Sequence, residues 1–245
     1  MAARNGKHSS TKHTLAIDIG GTGLKASVLD GAGKMITERV RMDTPHPCSP
    51  KVIVDSLAGL VATLPAFQQI SVGFPGLIRK GKIVTAPNLG TPAFAGFDLA
   101  KALGSKLGAP VRAINDADMQ GLAAVKGKGV EMAITLGTGF GTALFNDGKL
   151  QVHLEIAHLP FKKGRTYDEM LGDGNRKQIG AKKWNKLVKE AIKNMRTMVN
   201  FDHLYVGGGN AKRIESTLPK GVSLVDNSAG ILGGIKLWDD ILEDV

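Results

Sequence analysis

Two glycine-rich stretches are the parts of this sequence best suited to bind an anion: DIGGTG at positions 18–23 and LGTGFG at positions 136–141. Glycine has no Cβ, so consecutive backbone N–H groups can form a concavity that accepts a phosphate. Threonine hydroxyls and the compact positive charge of a nearby lysine would complete such a site. We therefore predict these phosphate-binding residues: Gly20, Gly21, Thr22, Gly23, Lys25, Gly137, Thr138 and Gly139.

Each stretch on its own is also typical of an ordinary hairpin turn, in which glycine supplies a positive φ. A two-residue hairpin does not need three glycines, however, and both stretches stand between runs that predict β-strands. Neither is a P-loop or a dinucleotide-binding turn, because those motifs need a helix directly after the glycines. The pattern favours a phosphate held between two hairpins.

A candidate proton acceptor lies in VRAINDADMQ, positions 111–120, where a predicted strand ends and a helix begins. Considered alone, Asp116 or Asp118 is more typical of a helix N-cap. Beside two phosphate-binding hairpins, Asp116 is the best candidate for a general base that takes a proton from a substrate hydroxyl during phosphoryl transfer. Asn115 would then hold a neighbouring hydroxyl.

A second polar pair, Glu155 and His158, is three residues apart in HLEIAHLPF. In a sugar site a carboxylate accepts a hydrogen bond from one hydroxyl, and an imidazole donates to another. Two ionisable residues at this spacing are more often ordinary surface residues. The pair is therefore a candidate for sugar binding only together with the other predicted site residues.

The elements that position these residues repeat once along the chain. Up to about residue 129 the hydrophobic pattern predicts the order βββαβαβα, and near Val130 a strand, a glycine turn and a strand begin again. A helix over 181–200, a strand in HLYVGGG and helical segments around 211–218 and 229–242 follow. Two related lobes that face a cleft are the natural interpretation. The predicted boundaries are a disordered N-terminal tail at 1–13, a smaller lobe at 14–115 joined by a C-terminal helix at 229–243, and a larger lobe at 116–228.

Positive charge is concentrated in one region. The chain has 32 Lys and Arg against 22 Asp and Glu, a net charge of +10 that predicts attraction to polyanions. The helix over 181–200 would carry apolar residues on one face and cations on another. A basic helix face is usually just solvated, but more cations precede this one, and a chain of phosphates would bind such a surface. The predicted polyphosphate track contains Lys162, Lys163, Arg165, Lys182, Lys183 and Lys186. Nucleic acid is a weaker candidate, because the segment has few aromatic residues to stack on bases.

Composition argues against other classes of protein. The chain is 42% hydrophobic, and no apolar run approaches the roughly 20 residues needed to cross a bilayer, so no membrane segment is expected. A single cysteine, Cys48, can form neither an internal disulfide nor a cysteine-based zinc site. This composition suits a reducing compartment, and we expect a cytoplasmic protein.

Three glycine segments in this order resemble the phosphotransfer fold shared by actin, hexokinase and Hsp70. DIGGTG resembles its first phosphate segment and LGTGFG its second, while VGGGNAK at 206–212 resembles its nucleotide-side segment and adds Gly207 and Gly208 to the predicted phosphate-binding residues. The resemblance implies an α/β class with a two-lobed, duplicated, actin/hexokinase-like (ribonuclease H-like) fold and a cleft between the lobes. It also implies that Asp18 orients Mg²⁺, directly or through water; otherwise Asp18 would be a turn-stabilising carboxylate.

The motifs GFPG, ND and E-x-x-H, in this order, resemble the ROK family of bacterial sugar kinases. In that family the residue equivalent to Asp116 is catalytic. The hexose-binding residues that the resemblance implies are Asn115, Asp116, Glu155, His158 and, from EMLGDG, Glu169.

Two departures from the ordinary ROK pattern narrow the resemblance. No cysteine follows His158, where ordinary members carry a cysteine-rich zinc loop, so no structural zinc is expected. Gly23 stands where ordinary members have a lysine. Both features resemble the branch of the family that phosphorylates glucose from inorganic polyphosphate. That branch implies glucose and polyphosphate as substrates, Mg²⁺ as a cofactor and a homodimer.

Two alternatives stay open on the sequence. VGGGNAK could bind adenosine, which would make the protein an ATP-dependent kinase of glucose or another hexose. Some ROK proteins are transcriptional repressors that keep the sugar site, so the other alternative is a non-catalytic, sugar-responsive regulator that binds nucleic acid. Thirteen residues precede the first predicted strand, too few for the helix-turn-helix of such repressors.

Overall fold

A mixed five-stranded sheet forms from the first half of the chain. The computed structural model describes residues 12–225 and 232–239. In chain order the strands of this half are β1 (Thr14–Ile19), β2 (Gly23–Leu29), β3 (Val40–Asp43), β4 (Gln69–Phe74), the small hairpin of β5 (Ile78–Arg79) and β6 (Lys82–Ile83), and β7 (Val111–Asn115). The sheet order is β3-β2-β1-β4-β7, with β1 antiparallel to β2 and parallel to β4.

The helices of this half follow the predicted order, with one short addition. They are α1 (Pro50–Val61), α2 (Thr91–Phe94), α3 (Leu99–Leu107) and α4 (Asp116–Ala124). Local side chains set their starts, because Ser49 caps α1 and Asp98 caps α3 through bonds from the backbone N–H groups of Val52 and Lys101. Every residue of β4 is buried, as expected for a central strand covered on both faces.

The second half repeats the strand pattern. Its strands are β8 (Val130–Leu136), β9 (Phe140–Asn146), β10 (Lys149–Leu150), the pair β11 (Pro160–Lys162) and β12 (Arg165–Thr166), β13 (His203–Gly207) and β14 (Val222–Leu224). The five-stranded sheet has the order β10-β9-β8-β13-β14. Its central strand β8 is antiparallel to β9 and parallel to β13, as β1 is to β2 and β4. The predicted repetition of the hairpin unit is therefore present in the pairing of both sheets.

Three helices cover the second sheet: α5 (Tyr167–Leu171), α6 (Asp173–Ile179) and α7 (Ala181–Val199). The predicted amphipathic helix is thus found within one residue of its expected ends. Trp184 of α7 is fully buried and donates its indole N–H to the carbonyl of Leu171 at 2.8 Å. Burial of this large side chain anchors the apolar face of α7 and leaves the lysine-rich face exposed.

Two predicted helical segments are shorter than expected. Around 211–218 only a single 3₁₀ turn, Ala211–Arg213, is helical. Asn185 of α7 explains the end of that turn, because its side chain bonds both the carbonyl of Arg213 and the N–H of Glu215. Of the predicted helix at 229–243, the described part contains the 3₁₀ helix Gly233–Trp238, and the remainder lies outside the described residues.

The Gly233–Trp238 helix packs on the first sheet and on α4. The carbonyl of Gly234 accepts a hydrogen bond from the Ser71 hydroxyl at 2.6 Å, and the Trp238 indole donates to the same hydroxyl at 2.9 Å. The predicted tail and lobe boundaries remain predictions. Within the described ranges, no helix is both long enough and apolar enough to span a bilayer.

The packing of α4 against the second sheet generates a stability prediction. A Cβ at Gly121 would lie 2.6 Å from the buried ring of Phe145, whereas a Cβ at Gly59 in α1 would meet nothing within 4 Å. Gly121→Ala should therefore lower the free energy of unfolding by roughly 1–3 kcal/mol through overpacking. Gly59→Ala should raise it by up to about 1 kcal/mol through helix propensity.

Urea denaturation of both variants measures these changes. The two substitutions are chemically identical and differ only in the space around the new methyl group. Equal effects of the two would contradict the close packing of α4.

Candidate active site

A cleft of about 490 Å³ lies between the two sheets and is lined by both glycine turns. The first turn connects β1 to β2, and the second connects β8 to β9. All eight residues predicted from these turns line the cleft: Gly20, Gly21, Thr22, Gly23, Lys25, Gly137, Thr138 and Gly139. Residues separated by more than a hundred positions in the sequence thus meet at one site.

The backbone of each turn leaves N–H groups available to a ligand. In each turn the first glycine forms the hydrogen bond that closes the turn. The Gly20 N–H donates to the carbonyl of Gly23, and the Gly137 N–H donates to the carbonyl of Gly139. Four further N–H groups donate to no protein group within the described part of the chain: those of Gly21, Thr22, Thr138 and Gly139. Two pairs of unpaired amides that face one cavity are suited to bind an anion.

Gly137 and Gly139 of the second turn differ in what a side chain at each position would meet. A Cβ at Gly139 would lie 2.0 Å from Oδ1 of Asp168, which accepts the N–H of Phe140 at 2.8 Å. A Cβ at Gly137 would meet nothing within 4 Å. Gly139 is therefore required by protein packing, while the space beside Gly137 is open for a ligand.

Asp116 is the first residue of α4 and faces the cleft, but it is not the cap of that helix. Asn115 is the N-cap, because its Oδ1 accepts the N–H of Ala117 at 2.7 Å and that of Asp118 at 3.3 Å. The plain N-cap interpretation of Asp116 or Asp118 is wrong, and the carboxylate of Asp116 stays available for chemistry. Asn115 also donates to the carbonyl of Gly76 at 3.2 Å, so much of its predicted sugar-binding capacity is already used.

The surroundings of Asp116 bring its pKa close to neutral pH. Burial, and then the negative charge of Asp18, raise the pKa of Asp116 to about 7. The N–H of Ala117, which donates to its Oδ1 at 2.9 Å, opposes the shift. A base whose pKa lies near the working pH transfers protons efficiently.

Asp18 and Lys25 form an ion pair on the cleft face of the first sheet. Lys25 Nζ lies 2.9 Å from Asp18 Oδ2, and the two residues are direct partners in the β1–β2 register. Residues 12–225 and 232–239 contain no group of three or more acidic, histidine or cysteine side chains that could hold a metal. Mg²⁺ in phosphoryl-transfer sites is bound by one or two carboxylates together with substrate phosphates and water, and the single carboxylate of Asp18 beside the turns fits that arrangement.

A buried pair that the sequence motifs did not reveal lies at the cleft wall, where His153 is one of the lining residues. His153 Nδ1 is 2.9 Å from Asp118 Oδ2, with side chains only 8% and 4% exposed. Burial alone would lower the pKa of His153, but the hydrogen bond to Asp118 and nearby negative charges outweigh it and raise that pKa. His153 Nε2 lies 3.8 Å from Oε1 of Glu155, which connects the pair to the predicted sugar carboxylate. Thirty-five positions separate the two residues, so no local spacing could have paired them.

Glu155 lines the cleft, whereas His158 stands at its edge. Glu155 Oε1 accepts from the Thr85 hydroxyl at 3.4 Å, and its Oε2 lies 3.7 Å from His158 Nε2. The His158 side chain is half exposed and is not part of the cleft lining. Only one member of the predicted E-x-x-H pair therefore faces the cavity.

The sequence model of the ROK family matches residues 14–163. The chain belongs to the ROK family. It is similar to the polyphosphate glucokinase of Mycobacterium tuberculosis strain CDC 1551 / Oshkosh, with 28% identity over 242 residues that cover 92% of this chain and 91% of the relative.

Solved structures are similar over the same length. The inorganic polyphosphate/ATP-glucomannokinase of Arthrobacter sp. strain KM superposes with a TM-score of 0.83 at 32% identity, covering 92% of this chain and 98% of that one. A ROK family glucokinase of Streptomyces griseus in complex with glucose and AMPPNP superposes with a TM-score of 0.73 at 19% identity, covering 92% and 98%. The predicted two-lobed, actin/hexokinase-like α/β fold is confirmed.

Two predicted ligand residues of this ROK protein are placed away from the cleft. Glu169 forms a capping box with Thr166 at the start of α5 and does not line the cavity. Its neighbour Asp168 lines the cavity instead, and a sugar contact at Glu169 stays a prediction. Gly207 ends β13 beneath the surface of the cleft, and a Cβ there would approach Val225 at 3.0 Å. Gly208, Gly209 and Asn210 are the residues of that segment that line the cavity.

The predicted polyphosphate track does not reach the cleft. Lys162 is ion-paired with Glu190, and Arg165 donates to the side chain of Asn175 and the carbonyl of Glu169. Lys163 lies in the turn between β11 and β12, and Lys182, Lys183 and Lys186 are exposed on α7. Within the described ranges the lysine and arginine residues that line the cleft are Lys25 and Arg41. Arg41 was missed because it lies on a short strand outside any motif.

The raised pKa of Asp116 generates a stability prediction. Its pKa is about 7 in the folded protein against 3.8 in the reference state, so the folded chain loses stability as the pH rises from about 4 to about 7. Asp116→Asn removes that loss and should raise the free energy of unfolding by roughly 2 kcal/mol at pH 8, since water in the cleft weakens the full effect. The gain should vanish near pH 4.

Asp55→Asn is a control of opposite sign. Hydrogen bonds from Lys106 and Lys51 lower the pKa of the exposed Asp55 to about 2, so this variant should be less stable than the parent above pH 4. Thermal unfolding at several pH values measures both. A pH-independent effect of Asp116→Asn would contradict the assigned pKa.

Proposed function

We propose that this ROK protein transfers a phosphoryl group from inorganic polyphosphate to the 6-hydroxyl of glucose. The observation that carries the proposal is the position of Asp116, a carboxylate with a raised pKa that faces two glycine turns with unpaired amides. The similarity to proteins described as polyphosphate glucokinase and polyphosphate/ATP-glucomannokinase supports the choice of sugar and donor.

In the proposed reaction Asp116 takes the proton of the glucose 6-hydroxyl. The hydroxyl oxygen forms a bond to the terminal phosphorus, and the bond from that phosphorus to the next bridging oxygen breaks. The shortened polyphosphate leaves with the electron pair of that bond. Asp116 is suited to this step because its raised pKa makes it basic enough to accept a proton near neutral pH.

The sugar would be held beside Asp116 by polar groups of the cleft wall. Glu155 can accept a hydrogen bond from a hydroxyl, and the free N–H of the Asn115 amide can donate one. The bond of His153 to Asp118 fixes the imidazole next to Glu155, which orients that carboxylate. Correct orientation of the 6-hydroxyl is worth several orders of magnitude in rate.

The donor phosphate would be held by the two turns. The unpaired N–H groups stabilise the charge on the transferred phosphoryl group, and the hydroxyls of Thr22 and Thr138 add donors. Asp18 would hold Mg²⁺ directly or through water, and the ion would neutralise charge on the donor phosphates.

An ATP-dependent hexokinase is the second candidate. Gly208, Gly209 and Asn210 line the cleft beside the second turn, and the name of the Arthrobacter protein includes both donors. A nucleic-acid-binding regulator without catalysis has less support, because the raised pKa of Asp116 beside two glycine turns favours a catalytic role. A cytoplasmic location and a homodimer stay predictions.

Removal of the base tests the acceptor half of the reaction. Asp116→Ala should reduce kcat by about a thousandfold or more, because transfer then lacks its proton acceptor. Formation of glucose 6-phosphate under saturating donor is the measurement. Asp55→Asn, which removes a carboxylate on α1, should retain the parent rate, and a normal rate for Asp116→Ala would refute the assignment.

The donor is tested by supplying polyphosphate and ATP separately. We expect a higher kcat/KM with polyphosphate, and a KM for polyphosphate that rises steeply with salt because binding releases counterions. Activity with ATP alone would replace the proposal with the second candidate. Activity with neither donor would refute both.

A further inference from the structure

One lysine and one arginine of the described chain line the cleft, and they differ in what they are bonded to. Lys25 is held by Asp18 at 2.9 Å, so its charge is largely neutralised by a neighbour on the same sheet face. Arg41 has a single acidic partner, Asp43 at 3.7 Å, and both of these side chains are mostly exposed. An exposed pair at that distance contributes little. Arg41 is therefore the cation of the cleft that is available to a ligand.

The strand register places Arg41 beside the first turn. Asp18, Lys25 and Arg41 are successive cross-strand partners on β1, β2 and β3, so their side chains lie on one face of the sheet. Gly23 is two residues from Lys25 on β2 and lies on the same face. β3 is the edge strand of the described sheet, which places Arg41 at the mouth of the cleft.

The lack of a side chain at Gly23 leaves the space that the guanidinium occupies. A Cβ at Gly23 would lie 3.6 Å from Nε and 3.9 Å from Nη2 of Arg41. Gly23 does not have a positive φ, and its nearest backbone neighbour, the carbonyl of Met42, would be 3.4 Å from the new Cβ. Neither strain nor backbone contact therefore requires glycine here. The absence of a side chain at Gly23 instead leaves room for the Arg41 side chain, which approaches from β3.

We propose that Arg41 binds the phosphates of the donor at the first turn, in space made available by Gly23, and so determines donor affinity. The inference rests on the proposed function and assigns a binding residue outside the glycine motifs. A guanidinium forms two parallel hydrogen bonds to a phosphate, which suits a strongly charged donor. The shared chemistry is a polyphosphoryl group, either of inorganic polyphosphate or of ATP.

Steady-state kinetics of Arg41→Ala test the proposal. With either donor that the parent uses, we expect the donor KM to rise about tenfold or more, because a charge-assisted bidentate contact is lost. The KM for glucose should change less than twofold. Arg41→Lys should lie between the two, since the charge remains but the bidentate geometry does not.

Arg39→Ala is the matched control, because it removes the same charge two residues away without touching the cleft. It should leave both KM values within twofold of the parent. A second variant, Gly23→Lys with Arg41→Ala, returns a cation to the same space from the other strand. It should recover at least half of the lost donor affinity on a logarithmic scale.

The outcomes are distinguishable from failure of the proposed function. If the parent uses neither donor, the proposed function is wrong; if it uses one and Arg41→Ala keeps the donor KM within twofold, the inference alone is wrong. An effect of Arg41→Ala without rescue by Gly23→Lys would overturn the assignment of both positions to one phosphate.

A rise in KM for both donors places the contact on the last three phosphates, and a rise for polyphosphate alone places it further along the chain. Calorimetric titration of the glucose-loaded protein with polyphosphate of defined length gives the same comparison if turnover is lost, with a tenfold rise in Kd expected.

Discussion

Helix α4 is packed between the two sheets so closely that glycine is required on several sides, and the active site depends on this packing. A Cβ at Gly73 would approach the Cα of Asp116 at 3.3 Å, one at Gly121 the ring of Phe145 at 2.6 Å, and one at Gly233 the carbonyl of Met119 at 1.8 Å. Such contacts leave the helix no freedom to slide or rotate. Because Asp116 is its first residue, the position of the proposed base is fixed by the packing of a helix rather than by a loop.

The same packing concentrates negative charge under the cleft. Asp18, Asp116 and Asp118 are close enough that two of them raise the pKa of the third, and Asp118 retains one carboxylate oxygen without a hydrogen-bond partner in the described protein. Lys25 and His153 each neutralise one of these acids through a direct contact. Burial and the charge of Asp18 therefore raise the pKa of Asp116 to about 7, and it can take up a proton near that pH. An arrangement of this kind reduces stability in exchange for reactivity.

The net positive charge of the chain is not concentrated in the cleft. Exposed lysines of α7 account for part of it, but none of the predicted track residues lines the cavity. The cleft itself combines acidic side chains with unpaired backbone amides, and Arg41 stands at its mouth. A polyanion would therefore meet neutral amide donors at the reacting phosphate and a cation further out.

Local patterns in the sequence determined what depends on neighbouring residues: the two glycine hairpins, the order of strands and helices, the ends of α7 and the presence of Asp116 at a strand-to-helix junction. Three short motifs, GFPG, ND and E-x-x-H, in this order along the chain, also indicated the ROK family. Tertiary structure alone decided which of several similar residues faces the cleft. It places Asp168 on the cleft wall and Glu169 away from it, because adjacent helical residues point about 100° apart and the Glu169 side chain is bonded to Thr166. It paired His153 with Asp118 and placed Arg41 beside Gly23, since both contacts join elements whose distance in space is set by sheet register and helix packing, which no local pattern encodes.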